Sequence, residues 1–118
     1  TTIRVNLLNL GLDEGAYEDV RARGERLIVH CDREGLAVDA YYARLALAEA
    51  QAALGNYGTV RDLVETLRRD APPEVRDDPD ATALLGRLDA GDEEMQGRVR
   101  RLRHYLAGRD RVEAVRRA

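Results

Sequence analysis

The chain has 118 residues, 13.2 kDa, with 44% hydrophobic and 35% charged residues and a net charge of −3. That is the length of one domain, long enough to bury about two-thirds of its unfolded surface without a metal or disulfide. Ser, Lys, Trp and Phe are absent, so all 19 basic residues are Arg, and Cys31 is the single cysteine. These gaps exclude a serine nucleophile, Schiff-base chemistry, a phosphate loop ending in Lys-Ser/Thr, an internal disulfide and any cysteine-rich metal centre. No run approaches the ~18 apolar residues of a membrane span, and no charged-then-apolar leader opens the chain. The expected location is the cytoplasm.

In the first dozen residues, Ile3, Val5 and Leu7 alternate as in a strand, whereas Ile3, Leu7, Leu8 and Leu12 step as in a helix. A lone strand among helical patterns has nothing to pair with, so helix is the reading. The next helix runs from Tyr17 to about Glu34. Its stripe is Tyr17, Val20, Gly24, Leu27, Ile28 and Cys31, and Gly35 stands at its C-terminal end. Gly24 costs about 1 kcal/mol against Ala in a helix interior, which calls for a close approach by a neighbouring helix.

From about Val38 to Leu54 the chain is rich in Ala and Leu and apolar on two adjoining stripes. Tyr41, Leu45, Ala48 and Ala52 form one; Tyr42, Ala46, Ala50 and Leu54 form the other. A helix apolar over so wide an arc is packed on several sides and belongs at the centre of the fold. After the Gly55-Asn56-Tyr57-Gly58 turn, Thr59 is the expected N-cap of a helix reaching about Asp70. Its stripe is Val60, Leu63, Val64 and Leu67, and Pro72-Pro73 ends it.

Asp78-Pro79 starts a fifth helix, with an acid at the cap, Pro at the first position, and Ala81, Leu84, Leu85 and Leu88 as its face. Gly91 is expected to stop it and Asp92 to cap a sixth, carrying Met95, Val99, Leu102 and Leu106 up to Gly108. Residues 109–118 read as a frayed helical tail.

The turns recur. Gly15-Ala16-Tyr17 and Gly55-Asn56-Tyr57 open two segments built alike, with Val20 and Val60 in matching positions and Leu27 and Leu67 likewise. Gly91-Asp92-Glu93 continues the series. Such self-similarity marks stacked helix–turn–helix units. The stretch from Tyr41 to Pro72 resembles the tetratricopeptide repeat (TPR) family. It carries Ala48 in the first helix, the Gly55-x-Tyr57 turn, the Val60/Val64/Leu67 face and a closing Pro. It departs where the family has a small residue, here Val60, and where it has a mid-helix aromatic, here Gly24 and Val64. The units also exceed the family's period of roughly 34 residues.

The resemblance implies an all-α, right-handed stack of about three antiparallel helix pairs (units 1–35, 36–73 and 74–108, with a basic tail 109–118). It also implies a non-catalytic scaffold that binds a partner peptide or helix in a concave groove. That groove would draw on Asn6, Asn9, Tyr42, Leu45 and Glu49; the other reading of Tyr42 and Leu45 is inter-helix core. The family's carboxylate-clamping subgroup uses Lys and Arg that have no match here.

Other chemistry weighs less. His30 and Cys31 point about 100° apart on a helix and cannot act as a pair. Cys31 lies on an apolar stripe, where a thiol behaves as a small hydrophobe. Asp77, Asp78 and Asp80 lack the pattern of a calcium loop and suit a helix start. No enzyme activity, cofactor or metal is expected. Residues 98–118 hold eight Arg against two acids, a charge of +6, which leaves −9 on the rest. Arg98, Arg101, Arg103 and Arg109 form the candidate basic patch. It keeps open a nucleic-acid-contacting adaptor, although pairing with the protein's own acidic surface, with a following domain or with a neighbouring subunit is favoured. A dimerising or regulatory segment of a bacterial transcription or signalling protein is the other alternative. The expected partner is a protein, a peptide or a second copy, not a membrane.

Overall fold

The structure is a computed structural model that describes the backbone of residues 2–117 and the side chains of 3–94, 97, 100, 101 and 108. It is all-helical among the described residues, with five α-helices and one 3-10 turn. The helices are α1 (Thr2–Asp13), α2 (Tyr17–Glu34), α3 (Ala37–Ala53), α4 (Tyr57–Arg69) and α5 (Pro79–Arg117), with the 3-10 turn at Pro73–Val75 before α5. No described helix is long and apolar enough to cross a membrane.

One turn is used three times. Gly15, Gly35 and Gly55, evenly spaced along the chain, adopt φ of 74°, 69° and 82°, the left-handed region that glycine enters without strain. In each case the residue after the glycine donates its N–H to the carbonyl one position beyond the usual helical partner. Ala16 reaches the Gly11 carbonyl, Leu36 that of Cys31 and Asn56 that of Gln51, each at 2.9 Å. This is the Schellman closure, which satisfies carbonyls that a helix end leaves open. The geometry delivers the chain directly into the next helix. α4 therefore starts at Tyr57, Asn56 takes the cap position instead of Thr59, and Thr59 sits inside the first turn.

The helix α3 lies between two apolar layers. Ala40, Ala43, Ala46 and Ala50 meet Val5 and Leu8 of α1 and Val20, Leu27 and Cys31 of α2. Tyr41, Leu45 and Ala48 meet Val60, Val64 and Leu67 of α4, Val75, and Ala81, Leu85 and Leu88 of α5. The helix pairs that pack are α1/α2, α2/α3, α1/α3, α3/α4, α4/α5 and α3/α5.

The expected break at Gly91 does not occur, and five helices replace six. A glycine inside a helix costs only about 1 kcal/mol, and the Tyr57 ring passes 3.9 Å from where a Gly91 Cβ would sit. Asp92, expected to cap a sixth helix, instead accepts from Arg61 at 3.0 and 3.1 Å, and Asp89 pairs with Arg68. Exposed ion pairs contribute about 0–1 kcal/mol each, whereas a buried Leu contributes roughly 1.5–3 kcal/mol. Leu85 and Leu88 therefore dock α5, and the arginines set its register. The helix also runs past Gly108 to Arg117. The stripe expected at Met95, Val99, Leu102 and Leu106 lies outside the described residues. With 39 residues, α5 spans about 58 Å, which sets the long axis of the 66 × 27 × 24 Å molecule.

The close approach expected at Gly24 is found at Gly11 instead. A Cβ on Gly11 would stand 2.6 Å from Val20 Cγ2, whereas one on Gly24 would stand 3.6 Å from Leu47 Cβ, an ordinary contact. Gly24→Ala is predicted to stabilise the fold by roughly 0.5–1 kcal/mol, and Gly11→Ala to cost about 1–3 kcal/mol because a buried Val cannot yield. Urea unfolding of the two variants checks the opposite signs.

Candidate interaction site

On α1, successive residues turn by about 100°, which sorts the helix into sectors. Val5 and Leu8 point into the core at 6% and 3% exposure. Asn6 and Asn9, both expected in the groove, are exposed on an adjoining sector. Ile3, Leu7 and Leu10, at steps of four and three, form a second apolar stripe on the far side. They are 74%, 49% and 52% exposed. The helix pattern read in the sequence grouped Ile3 and Leu7 with Leu8 and Leu12, but α1 carries two stripes and only one is covered.

The expected groove residues of α3 fare differently. Leu45 is 5% exposed and belongs to the core. Glu49 is half-buried. Tyr42 is half-buried and packs against both apolar layers, with its ring edge-on to Tyr41 at 5.6 Å. Its hydroxyl donates to Asp78 Oδ2 at 2.6 Å. Of the expected basic patch, Arg101 is exposed on α5, and Arg98, Arg103 and Arg109 lie outside the described residues.

Asp78 serves two purposes. Its Oδ1 accepts the N–H groups of Asp80 at 2.9 Å and Ala81 at 3.2 Å, capping α5, while Oδ2 holds Tyr42. The Tyr42 hydroxyl and the two backbone donors hold the Asp78 carboxyl below its ordinary range. The same carboxylate raises Tyr42 to about 12. Among the described residues no group of three or more His, Cys, Asp or Glu could hold a metal ion. Cys31 is fully buried, and desolvation followed by Asp39 and Asp32 pushes its thiol up.

Between α1 and α2 lies an open groove of about 340 Å³ lined by Arg4, Leu7, Leu8, Arg23, Arg26 and Leu27. Leu8 and Leu27 are its buried floor, and three arginines contribute to its lining. Arg23 pairs with Asp19 at 3.2 Å. Arg4 and Arg26 make no ion pair among the described residues. The sequence held a signal for this site that the strand-or-helix question obscured: α1 is apolar on more sides than one neighbour can cover.

No protein-family model, curated protein or solved structure matches the chain.

Three outcomes are predicted. Leu45→Arg forces a charge into the core and abolishes the helical circular dichroism. Cys31 reacts with an aromatic disulfide reagent only once denaturant unfolds the chain. Tyr42→Phe lowers stability at neutral pH. Because Asp78 titrates lower when folded, its contribution is full above its unfolded value and is lost as pH falls through the folded one. The gap between wild type and Tyr42→Phe therefore closes in acid. It also closes above about pH 10, where the unfolded tyrosine ionises and the folded one does not. Unfolding across pH measures that gap.

Proposed function

We propose that the chain is a non-catalytic protein-interaction module, a right-handed TPR-like stack that takes a peptide or helix from a partner. The order of packing carries this reading. The odd-numbered helices α1, α3 and α5 meet in series, while α2 lies against α1 and α3, and α4 against α3 and α5. Stacked helix pairs pack in this order, with the first helix of each pair lining the inner surface. The pairs would be α1/α2 and α3/α4, with α5 as the opening helix of a third. Gly15 and Gly55 end the first helix of each pair and Gly35 the second helix of the first pair, which supports a repeated unit of two helices whose spacing is longer than the family's period.

Within the inner surface, Asn6, Asn9 and Glu49 are the contacts assigned to the partner. Asn offers paired donor and acceptor groups to a peptide backbone. Leu45 and the Tyr42 hydroxyl serve the fold in this reading and drop out of the contact set. The test is capture from a cell lysate by wild type and by the Asn6→Ala/Asn9→Ala/Glu49→Ala variant, with circular dichroism as the check on folding. The expected result is a partner whose retention falls about tenfold in the variant, a loss of about 1.4 kcal/mol. Equal retention by both chains overturns the assignment of the groove.

A further inference from the structure

The α1 stripe and the α1/α2 groove meet at Leu7, which belongs to both. Ile3, Leu7 and Leu10 run along about 10 Å of helix at a rise of roughly 1.5 Å per residue. Arg4 stands on the same helix, and Arg23 and Arg26 stand across the groove on α2. α3, which is also apolar around much of its circumference, packs against four helices, whereas α1 packs chiefly on α2 and α3 and leaves its second stripe exposed. We propose that this end face, outside the inner surface assigned above, docks an acidic amphipathic helix from another protein. Its aliphatic side chains would seat on Leu7 and in the groove, and its carboxylates would face Arg4, Arg23 and Arg26.

Charge selects this occupant. The groove lining contains three arginines and no acid, on a body that carries −9 over positions 1–97. A second copy placed on the same face by a two-fold axis would bring Arg4, Arg23 and Arg26 against their own duplicates, and like charges opposed in this way are unfavourable. A bilayer is flat and cannot fill a groove whose floor is Leu8 and Leu27, whereas the side chains of a helix can. Arg4 and Arg26 are also free of ion pairs among the described residues, so a partner's carboxylates displace no existing salt bridge there. The proposal deepens the interaction-module reading and rests on it.

The experiment uses the full chain and two synthetic helices of about three heptads. Both carry Leu along one face; one has Glu at the flanking positions and the other Lys. The expected result is that the Glu helix binds at least tenfold more tightly than the Lys helix, with affinity falling as salt rises. Arg23→Glu/Arg26→Glu and Leu7→Glu should each remove that preference while circular dichroism is unchanged. Equal binding of the two helices, or no binding of either, overturns the proposal. So does a dimer mass that Leu7→Glu abolishes, since a second copy would then own the face. Binding to vesicles of anionic lipid that Leu7→Glu abolishes overturns it in favour of a membrane. A lysate partner lost in the Asn6/Asn9/Glu49 variant but kept by Leu7→Glu would leave the interaction-module reading standing and reject this surface alone.

Discussion

Everything in this fold leans on α3. The other four helices pack against it, and they can do so because Ala occupies the positions that face them. Ala43, Ala48 and Ala50 are fully buried, and Ala40 and Ala46 are 2% exposed. Small side chains let neighbouring backbones approach, and alanine loses no side-chain entropy when it is enclosed. The larger residues of the two layers come mostly from the surrounding helices, so each layer is completed by α3 and neither is complete without it. Tyr42 joins the layers, and its hydroxyl reaches Asp78, which fastens the start of α5 to the same central helix.

This dependence explains which parts of the fold were legible in the sequence. The Ala/Leu run from Val38 to Leu54 announced a helix packed on several sides, and such a helix must be central. The Tyr17–Glu34 span and the cap at Asp78-Pro79 were also readable, because apolar period and capping chemistry are local. The failures came from decisions that are not local. Whether Gly91 breaks a helix depends on what surrounds it. Asp92 is held by Arg61, and the leucines before it already fix α5 against α3 and α4. Likewise, the need for a glycine at Gly11 rather than Gly24 depends on where Val20 of the next helix lands.

The candidate site followed the same division. Asn6 and Asn9, which the repeat resemblance assigned to the groove, are exposed. Leu45 fitted a groove and a core equally well in the sequence, and only the arrival of α4 and α5 decides for the core. The uncovered stripe of Ile3, Leu7 and Leu10 was masked by the covered one, since a helix with two apolar stripes shows one continuous excess of leucine. The reading of the chain as an interaction module rests on the order in which its helices pack, and the proposed partner chemistry rests on the arginines beside that second stripe.

Native-state hydrogen exchange measures directly whether one helix holds both layers together. The amides of residues 43–51 are predicted to exchange most slowly in the chain, at the rate set by global unfolding. They should do so together with the parts of α2 and α4 that face α3. If α1 and α2 instead open as one unit and α4 and α5 as another, with α3 exchanging faster than either, the two layers are independent and α3 is not the element that joins them.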